Sequence, residues 1–198
     1  MTSLATTVGS LAVLSLSAHS SAGFTIVTGD ANAGQWFGAA GAYQLVAFTG
    51  FAEGTQITSQ YSSMGVQFAF HGSWGNNIQT SSFMYPQDGW GMVGNGTITV
   101  AFDSPMLAFA VHYPGDLRIG FYSGASLLHS WGAQATGSNL FAGFTSDVAF
   151  DRVVLSSYGP QNLGLFVDNV YFSAVPGPAT LVALGLGTAL TRSRQRRP

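Results

Sequence analysis

The sequence predicts an all-β domain, an antiparallel β-sandwich of jelly-roll type with one short N-terminal helix. One observation is composition: of 198 residues, 7% are charged, 13% are aromatic and 26 are glycine. Aromatic side chains suit a pleated sheet, and glycine suits tight turns. A second observation is repeated alternation of apolar and polar or small residues, interrupted by turn-forming residues. Seven or more such strands must stack or close to protect their edges. Alternation alone does not distinguish a jelly roll from an immunoglobulin-like sandwich.

The elements follow in order along the chain. Residues 30–41 combine an Asp at the N-cap position, alanines and a closing Gly, which predicts the short helix. Period-2 runs predict strands over residues 66–70, 97–102, 107–113, 117–121, 148–155 and 163–172. The segments 113–116 (Tyr-Pro-Gly-Asp) and 123–124 (Ser-Gly) predict turns between them.

The sequences at both ends of the chain predict processing signals rather than parts of the folded domain. Residues 4–18 form an apolar run of small side chains, followed by Ser and Ala at the positions that a signal peptidase recognises. We therefore expect residues 1–22 to be a signal peptide and residues 23–174 to form the β-sandwich domain. The alternative for residues 4–18 is that they form a first strand or helix of the core. These fifteen residues are short for a helix that spans a membrane.

The C-terminal segment, residues 175–198, has three parts in a fixed order. A Pro-Gly-Pro motif precedes an apolar stretch at residues 181–190 and a basic tail. This order resembles the PEP-CTERM sorting signal of exported bacterial proteins, with Gly where that family usually has Glu. The resemblance implies processing by an exosortase-like enzyme and transient membrane insertion through the C-terminus. The sorting residues are Val175, Pro176, Gly177, Pro178, Arg192, Arg194, Arg196 and Arg197.

The region between the two signals also resembles a known module. Residues 48–55 (Phe-Thr-Gly-Phe-Ala-Glu-Gly-Thr), 141–144 and 166–172 are similar to the opening and closing strands of a jelly-roll module common among PEP-CTERM proteins. The resemblance implies a secreted surface domain or one associated with extracellular polysaccharide. It implies no catalysis.

Charge and residue usage exclude several classes of function. Residues 23–174 contain two arginines, no lysine and eight acidic residues, so nucleic acid is not an expected partner. The chain has no cysteine, which excludes disulfides and thiol catalysis. No Gly-x-Ser-x-Gly elbow or His cluster with zinc spacing occurs. Asp103 and Asp116 are the acid pair that a glycoside hydrolase would need, and both border turns, where Asp usually caps its own backbone.

Two acidic residues suggest a calcium site. Alternation places Asp168 on the same strand face as Phe166, Val170 and Phe172, and a carboxylate facing a core needs a partner. With few arginines available, Ca²⁺ is a candidate, and Glu53 is the expected second ligand. The alternatives are an ion pair between Arg152 and Asp168, or a strand orientation that exposes Asp168.

Residues 71–94 show little strand pattern and read as a long loop. Its aromatic and amide side chains form a mixture suited to sugar binding, unless the aromatics only pack over the sheet. The candidate ligand-binding residues are Trp74, Asn76, Asn77, Tyr85, Asp88 and Trp90.

These observations predict a non-enzymatic exported protein of the cell envelope or extracellular matrix. Its sandwich would serve as a structural or polysaccharide-binding module. A polysaccharide-active hydrolase on the same scaffold is the alternative.

Overall fold

The computed structural model describes residues 23–80, 90–133, 140–157 and 165–174. Within these ranges the chain forms one α-helix and eight strands, which we number in chain order. They are β1 (Phe24–Thr28), α1 (Ala33–Ala40), β2 (Gln44–Val46), β3 (Val66–Thr80), β4 (Trp90–Tyr113), β5 (Leu117–Ser123), β6 (Ser126–Ala133), β7 (Leu140–Ser156) and β8 (Leu165–Ser173). Short 3-10 helices at Asp30–Asn32 and Ser62–Met64 precede α1 and β3.

The long strands β4 and β7 organise the sheet because they pair along two separate stretches. Residues 97–101 of β4 lie opposite residues 156–152 of β7, and residues 108–113 lie opposite residues 145–140. The register shifts between these stretches, on either side of Met106. Pro105, which has no N–H to donate, lies in this irregular stretch where it breaks no regular ladder.

Each half of β4 and β7 belongs to a different layer of strands. In the first layer the order is β2, β8, β4 (108–113), β7 (140–145) and β1. In the second layer the order is β3, β4 (97–101), β7 (152–156), β5 and β6. Both long strands therefore pass from one layer to the other at their irregular stretches.

Strand β8 pairs with β4 in two segments that follow one another along both strands. Met92 lies opposite Val167 and Gly94 opposite Leu165, while Ala108 lies opposite Ser173 and Val111 opposite Val170. Within each segment the β8 numbers fall as the β4 numbers rise, which is the antiparallel sense. Asn169, between the segments, has a φ of 40° and is skipped in the register, so it forms a bulge.

Phenylalanine side chains from the two layers meet between them. Phe121 of β5 lies 4.9 Å from Phe144 of β7 and 6.0 Å from Phe109 of β4, measured between ring centroids. Phe102 of β4 lies 5.2 Å from Phe172 of β8. All five are buried in one apolar cluster. The observed architecture confirms the predicted antiparallel β-sandwich with one short N-terminal helix.

Helix α1 covers the outer face of the first layer. Trp36 is completely buried, and its Nε1 donates a hydrogen bond of 3.0 Å to the carbonyl oxygen of Phe144. A Cβ at Gly143 would lie 2.5 Å from the Trp36 ring, so only glycine admits this contact. Ala108, Ala110, Phe141 and Tyr171 complete this second, smaller core.

Two local predictions are corrected by the structure. Residues 71–94 were expected to form a long loop, but residues 71–80 extend β3 and residues 90–94 begin β4. Register shifts between Gly72, Trp74 and Asn77 interrupt the period-2 pattern there, which hides the strand from a sequence analysis. The N-cap of α1 is Asn32, without a side-chain cap, and Asp30 begins the preceding 3-10 helix.

Substitutions beneath α1 test the smaller core. Trp36→Ala should lower the free energy of unfolding by about 3 to 5 kcal/mol, because it deletes a buried indole. Gly143→Ala should lower it by about 1 to 3 kcal/mol, because the added methyl group collides with that indole. Gly38→Ala is the control: no atom lies within 4 Å of its added Cβ, and helix propensity should raise stability by about 0.5 to 1 kcal/mol. Denaturant melts measure all three, and a Trp36→Ala effect below about 1 kcal/mol would contradict this packing.

Candidate functional site

The outer face of the second layer carries a trough centred on β5. Leu117, Ile119 and Phe121 point into the core, so alternation places the other residues of β5 outward. The outward residues are Arg118, Gly120 and Tyr122, which are less buried. The outer face of β5 thus presents a guanidinium group, a glycine without a side chain and an aromatic ring in a row.

Neighbouring strands extend this row into a three-by-three grid. Arg118 lies between Gly132 of β6 and Ser156 of β7, and Gly120 lies between Ser130 and Val154. In the third row, Tyr122 lies between Leu127 and Arg152. A register shift at Leu128 brings Leu127 rather than Leu128 opposite Tyr122, and Leu127 remains 55% exposed.

Gly120 forms the floor of the trough. A Cβ at this position would lie 3.0 Å from Cε2 of Tyr122 and 3.5 Å from Cδ1 of Leu127. Both side chains therefore lean over the glycine. A larger residue would fill the space that they share.

Contacts with the β5–β6 turn and with β7 hold Tyr122 and Arg152 in place. The Arg152 guanidinium carbon lies 4.6 Å from the centre of the Tyr122 ring, a cation–π contact. Nη2 of Arg152 also donates to the carbonyl oxygen of Gly124 at 3.0 Å. The amide of Gly124 donates to Asp151 at 2.8 Å. One corner of the trough is thus ordered by a network of contacts.

The trough has a volume of about 480 Å³, within the range usual for small-molecule sites. Apolar surface from Tyr122 and Leu127 lies beside hydroxyl and guanidinium groups, a combination that contacts both the C–H face and the hydroxyl groups of a sugar. The residues that line it are Arg118, Ile119, Gly120, Tyr122, Leu127, Ser130, Trp131, Gly132, Val154 and Ser156.

Positive charge in the domain is concentrated at this trough. Residues 23–174 contain Arg118 and Arg152 as their two arginines and no lysine, against eight acidic residues. Arg118 lies in the middle of the first row of the grid, and Arg152 lies at a corner of the third row. The sequence analysis missed this site, although the outward alternation of Arg118, Gly120 and Tyr122 was a readable signal.

The structure brings the predicted loop residues to the β3–β4 hairpin instead of to this trough. Trp74, Asn76 and Asn77 lie in β3, and Trp90 begins β4. Trp90 is partly buried and packs against the main core, as the packing alternative expected. Tyr85 and Asp88 lie outside the described residues, so the hairpin remains a predicted sugar site.

Asp168 does not share a face with Val170 and Phe172, contrary to the prediction. The bulge at Asn169 reverses the alternation, so Val167, Val170 and Phe172 belong to the main core whereas Asp168 lies opposite His112. His112 alternates with Val111 and Tyr113 of the main core and contacts Tyr171 and Phe141 of the helix-covered core. Asp168 and His112 are 1% and 4% exposed.

The described residues do not form a calcium site of grouped acidic side chains. Glu53 is exposed in the turn after β2, whereas Asp168 is buried. Calcium takes six to eight oxygen ligands, and no three His, Asp or Glu side chains in the described ranges are grouped closely enough to hold a metal. Calcium binding by Glu53 and Asp168 therefore stays a prediction, which thermal melting with calcium and with a chelator would test.

The acid pair considered for a hydrolase is divided between the two ends of the sandwich. Asp103 precedes the part of β4 that lies in the first layer, and Asp116 follows it. The eight residues from Met106 to Tyr113 separate them, a span of more than about 20 Å in a strand. Glycosidase carboxylates lie about 5 to 10 Å apart, so Asp103 and Asp116 do not form such a pair.

The proposed sorting residues, from Val175 to Arg197, lie outside the described residues, as do residues 1–22. No helix within the described ranges has both the length and the apolar character needed to cross a bilayer.

Comparisons with known proteins give one structural match. No protein-family model matches the chain, and a search of curated proteins finds no match either. Among solved structures, a mutant of a family 29 carbohydrate-binding module is similar to this chain at 15% sequence identity. The alignment covers 83% of this chain and 97% of that chain, with a TM-score of 0.31.

The buried His112 predicts a loss of stability in acid. Burial lowers its pKa, although the Asp30 carboxylate, 3.8 Å from its Nε2, acts in the opposite direction. Because the unfolded chain binds a proton more readily, the free energy of unfolding should fall as the pH drops below about 6.5. Burial also lowers the pKa of His129, so His112→Gln should remove part of this dependence and leave the rest.

Urea melts between pH 7.5 and 5 measure this effect in the wild type and in His112→Gln. His71 is exposed, so His71→Gln serves as the matched control for replacing an imidazole away from the core. Identical slopes for the wild type and His112→Gln would show that His112 does not contribute.

Proposed function

We propose that residues 23–174 form a non-enzymatic module that binds extracellular polysaccharide in the β5–β6–β7 trough. The observation that carries this proposal is the trough itself, in which Tyr122 and Leu127 flank a glycine floor and Arg118 lies at one end. The described residues that line it belong to strands, so their side chains are held by sheet pairing.

Each part of the trough has a role in this proposal. The Tyr122 ring and the Leu127 side chain provide apolar surface for the C–H groups of a sugar ring. The Arg118 guanidinium and the hydroxyl groups of Ser130 and Ser156 provide donors and acceptors for sugar oxygens. Arg118 and Arg152 also give an acidic domain its positive charge at this face, which suits carboxylate groups in an acidic polysaccharide.

The open architecture supports binding to a long chain rather than to a small enclosed ligand. The trough lies on the outer face of a sheet, while α1 covers the outer face of the other layer. Within the described residues, a polymer can therefore lie along the exposed face of the grid. The grid spans five residues along β5, from Arg118 to Tyr122, or about 13 Å from the first to the last.

The proposal includes export. Residues 1–22 would be removed by a signal peptidase, and the PEP-CTERM-like segment at residues 175–198 would be handled by an exosortase-like enzyme after transient membrane insertion. The mature domain would then lie in the cell envelope or the extracellular matrix. What supports this part is the order of signals along the sequence.

Single substitutions in the trough should weaken polysaccharide binding without unfolding the domain. Arg118→Ala and Leu127→Ala each remove an exposed side chain, so stability should change by no more than about 0.5 kcal/mol. Each should lower affinity about fivefold or more, the loss expected when an interface contact worth about 1 kcal/mol is deleted. Affinity electrophoresis in gels containing a neutral glucan or a uronate polymer measures the effect.

Leu45→Ala is the matched control for this experiment. Leu45 is exposed to a similar degree but lies in β2, on the helix-covered layer. Its substitution should leave retention unchanged. Retention of the wild type by neither polymer would leave a structural role for the domain, whereas equal losses for Leu127→Ala and Leu45→Ala would place binding away from the trough.

Sorting predicts a defined change in mass. Protein recovered from its native envelope should lack residues 1–22, and the released form should lack the arginine tail. Intact-mass measurement of both fractions checks this. A released species that retains residues 192–198 would contradict exosortase-like processing.

A further inference from the structure

Gly23 and Asp147 are joined by two hydrogen bonds at the end of β1. The Gly23 nitrogen lies 2.7 Å from Oδ1 of Asp147. The Asp147 amide donates in return to the carbonyl oxygen of Gly23 at 3.2 Å. The pair lies next to the β1–β7 ladder, in which Phe24 is opposite Ser146. A carboxylate is therefore fixed on the nitrogen of the residue that the sequence analysis identified as the mature N-terminus.

The absence of a side chain at residue 23 lets the Asp147 carboxylate approach the nitrogen closely. A Cβ on residue 23 would lie 2.9 Å from Oδ2 and 3.3 Å from Cγ of Asp147, so a side chain would push the carboxylate away from the nitrogen. The close contact thus needs both a carboxylate at residue 147 and the absence of a side chain at residue 23.

We infer that the Ala22–Gly23 bond is a processing site whose new terminal ammonium is bound by Asp147. This inference rests on the export part of the proposed function. Hydrolysis consumes one water: the bond between the Ala22 carbonyl carbon and the Gly23 nitrogen breaks, the carbon gains the hydroxyl and the nitrogen gains the hydrogen. The new carboxyl group then loses its proton and the amine gains one. The nitrogen then carries a positive charge at neutral pH.

Cleavage changes the character of the contact while keeping its partners. Before cleavage a neutral amide faces the Asp147 carboxylate, and afterwards an ammonium faces it. Charge-assisted hydrogen bonds of this kind are stronger than neutral ones. Asp147 is exposed, so solvent weakens the pair, but it should still favour the protonated amine.

The surroundings of the pair contain few other titratable groups. Among the described residues, His129 is the titratable side chain packed on β1, where its ring stacks on Phe24 at 4.6 Å. Burial lowers the pKa of His129, so it is neutral where an α-amino group titrates. Asp147 is the acidic group that accepts a hydrogen bond from the Gly23 nitrogen.

The composition of the chain makes this ammonium measurable. The sequence contains no lysine, so the α-amino group is the sole primary amine of a processed chain. Trace acylation with acetic anhydride, followed by intact mass, reports its reactivity. Because only the unprotonated amine reacts, an ion pair with Asp147 should slow labelling near pH 7.5.

The experiment uses protein exported and isolated from the native envelope, as wild type and as Asp147→Asn. We expect both to begin at Gly23, and the wild type to label about threefold more slowly, which corresponds to half a pKa unit. Asp151→Asn is the matched control: its carboxylate binds Gly124 instead, so labelling should match the wild type.

The outcomes separate the inference from the export proposal. Chains that retain residues 1–22 would overturn both processing and export. Chains that begin at Gly23 but label equally fast in wild type and Asp147→Asn would overturn the ammonium pair while export stands. Chains that begin at another residue would overturn the assignment of the processing site.

Discussion

The pairing of β4 with β7 along two stretches is the constraint on which the rest of the structure depends. Both strands cross from one layer to the other, so each layer is built around half of the same pair. In the first layer β8 joins β4 and β1 joins β7, while in the second β3 joins β4 and β5 joins β7. A change of register in this pair would move the phenylalanines of both layers out of the shared core, because alternation has a period of two.

The sequence predicted the elements whose patterns are regular. Strands with clean alternation, such as β5 and the two regular stretches of β4, follow directly from the sequence, as does the Ala-rich helix. The irregular places could not be predicted. The bulge at Asn169 reverses the orientation of Asp168, and the shifts around Trp74 disguise a strand as a loop. Both depend on partners far away in the chain, which local periodicity does not report.

The candidate site was missed for a related reason. The trough is assembled from β5, β6 and β7, and sheet pairing brings the residues of the three strands together. Sequence analysis instead favoured residues 71–94, where aromatic and amide residues are adjacent in the chain. Trp90 shows why adjacency misleads, because its side chain packs against the core. The two arginines were noted for their scarcity, but their common location needed the sheet register.

The inward and outward residues of β5 have different roles in the structure. Leu117, Ile119 and Phe121 face inward and maintain the core, whereas Arg118, Gly120 and Tyr122 face outward. Substitutions at the outward positions should therefore change the packing between the layers little. Position 120 is the most sensitive of them, since a methyl group there would lie 3.0 Å from the Tyr122 ring and would contact Leu127 at 3.5 Å. The side chain at this residue thus sets the depth of the trough, while the inward residues of the same strand keep the interior unchanged.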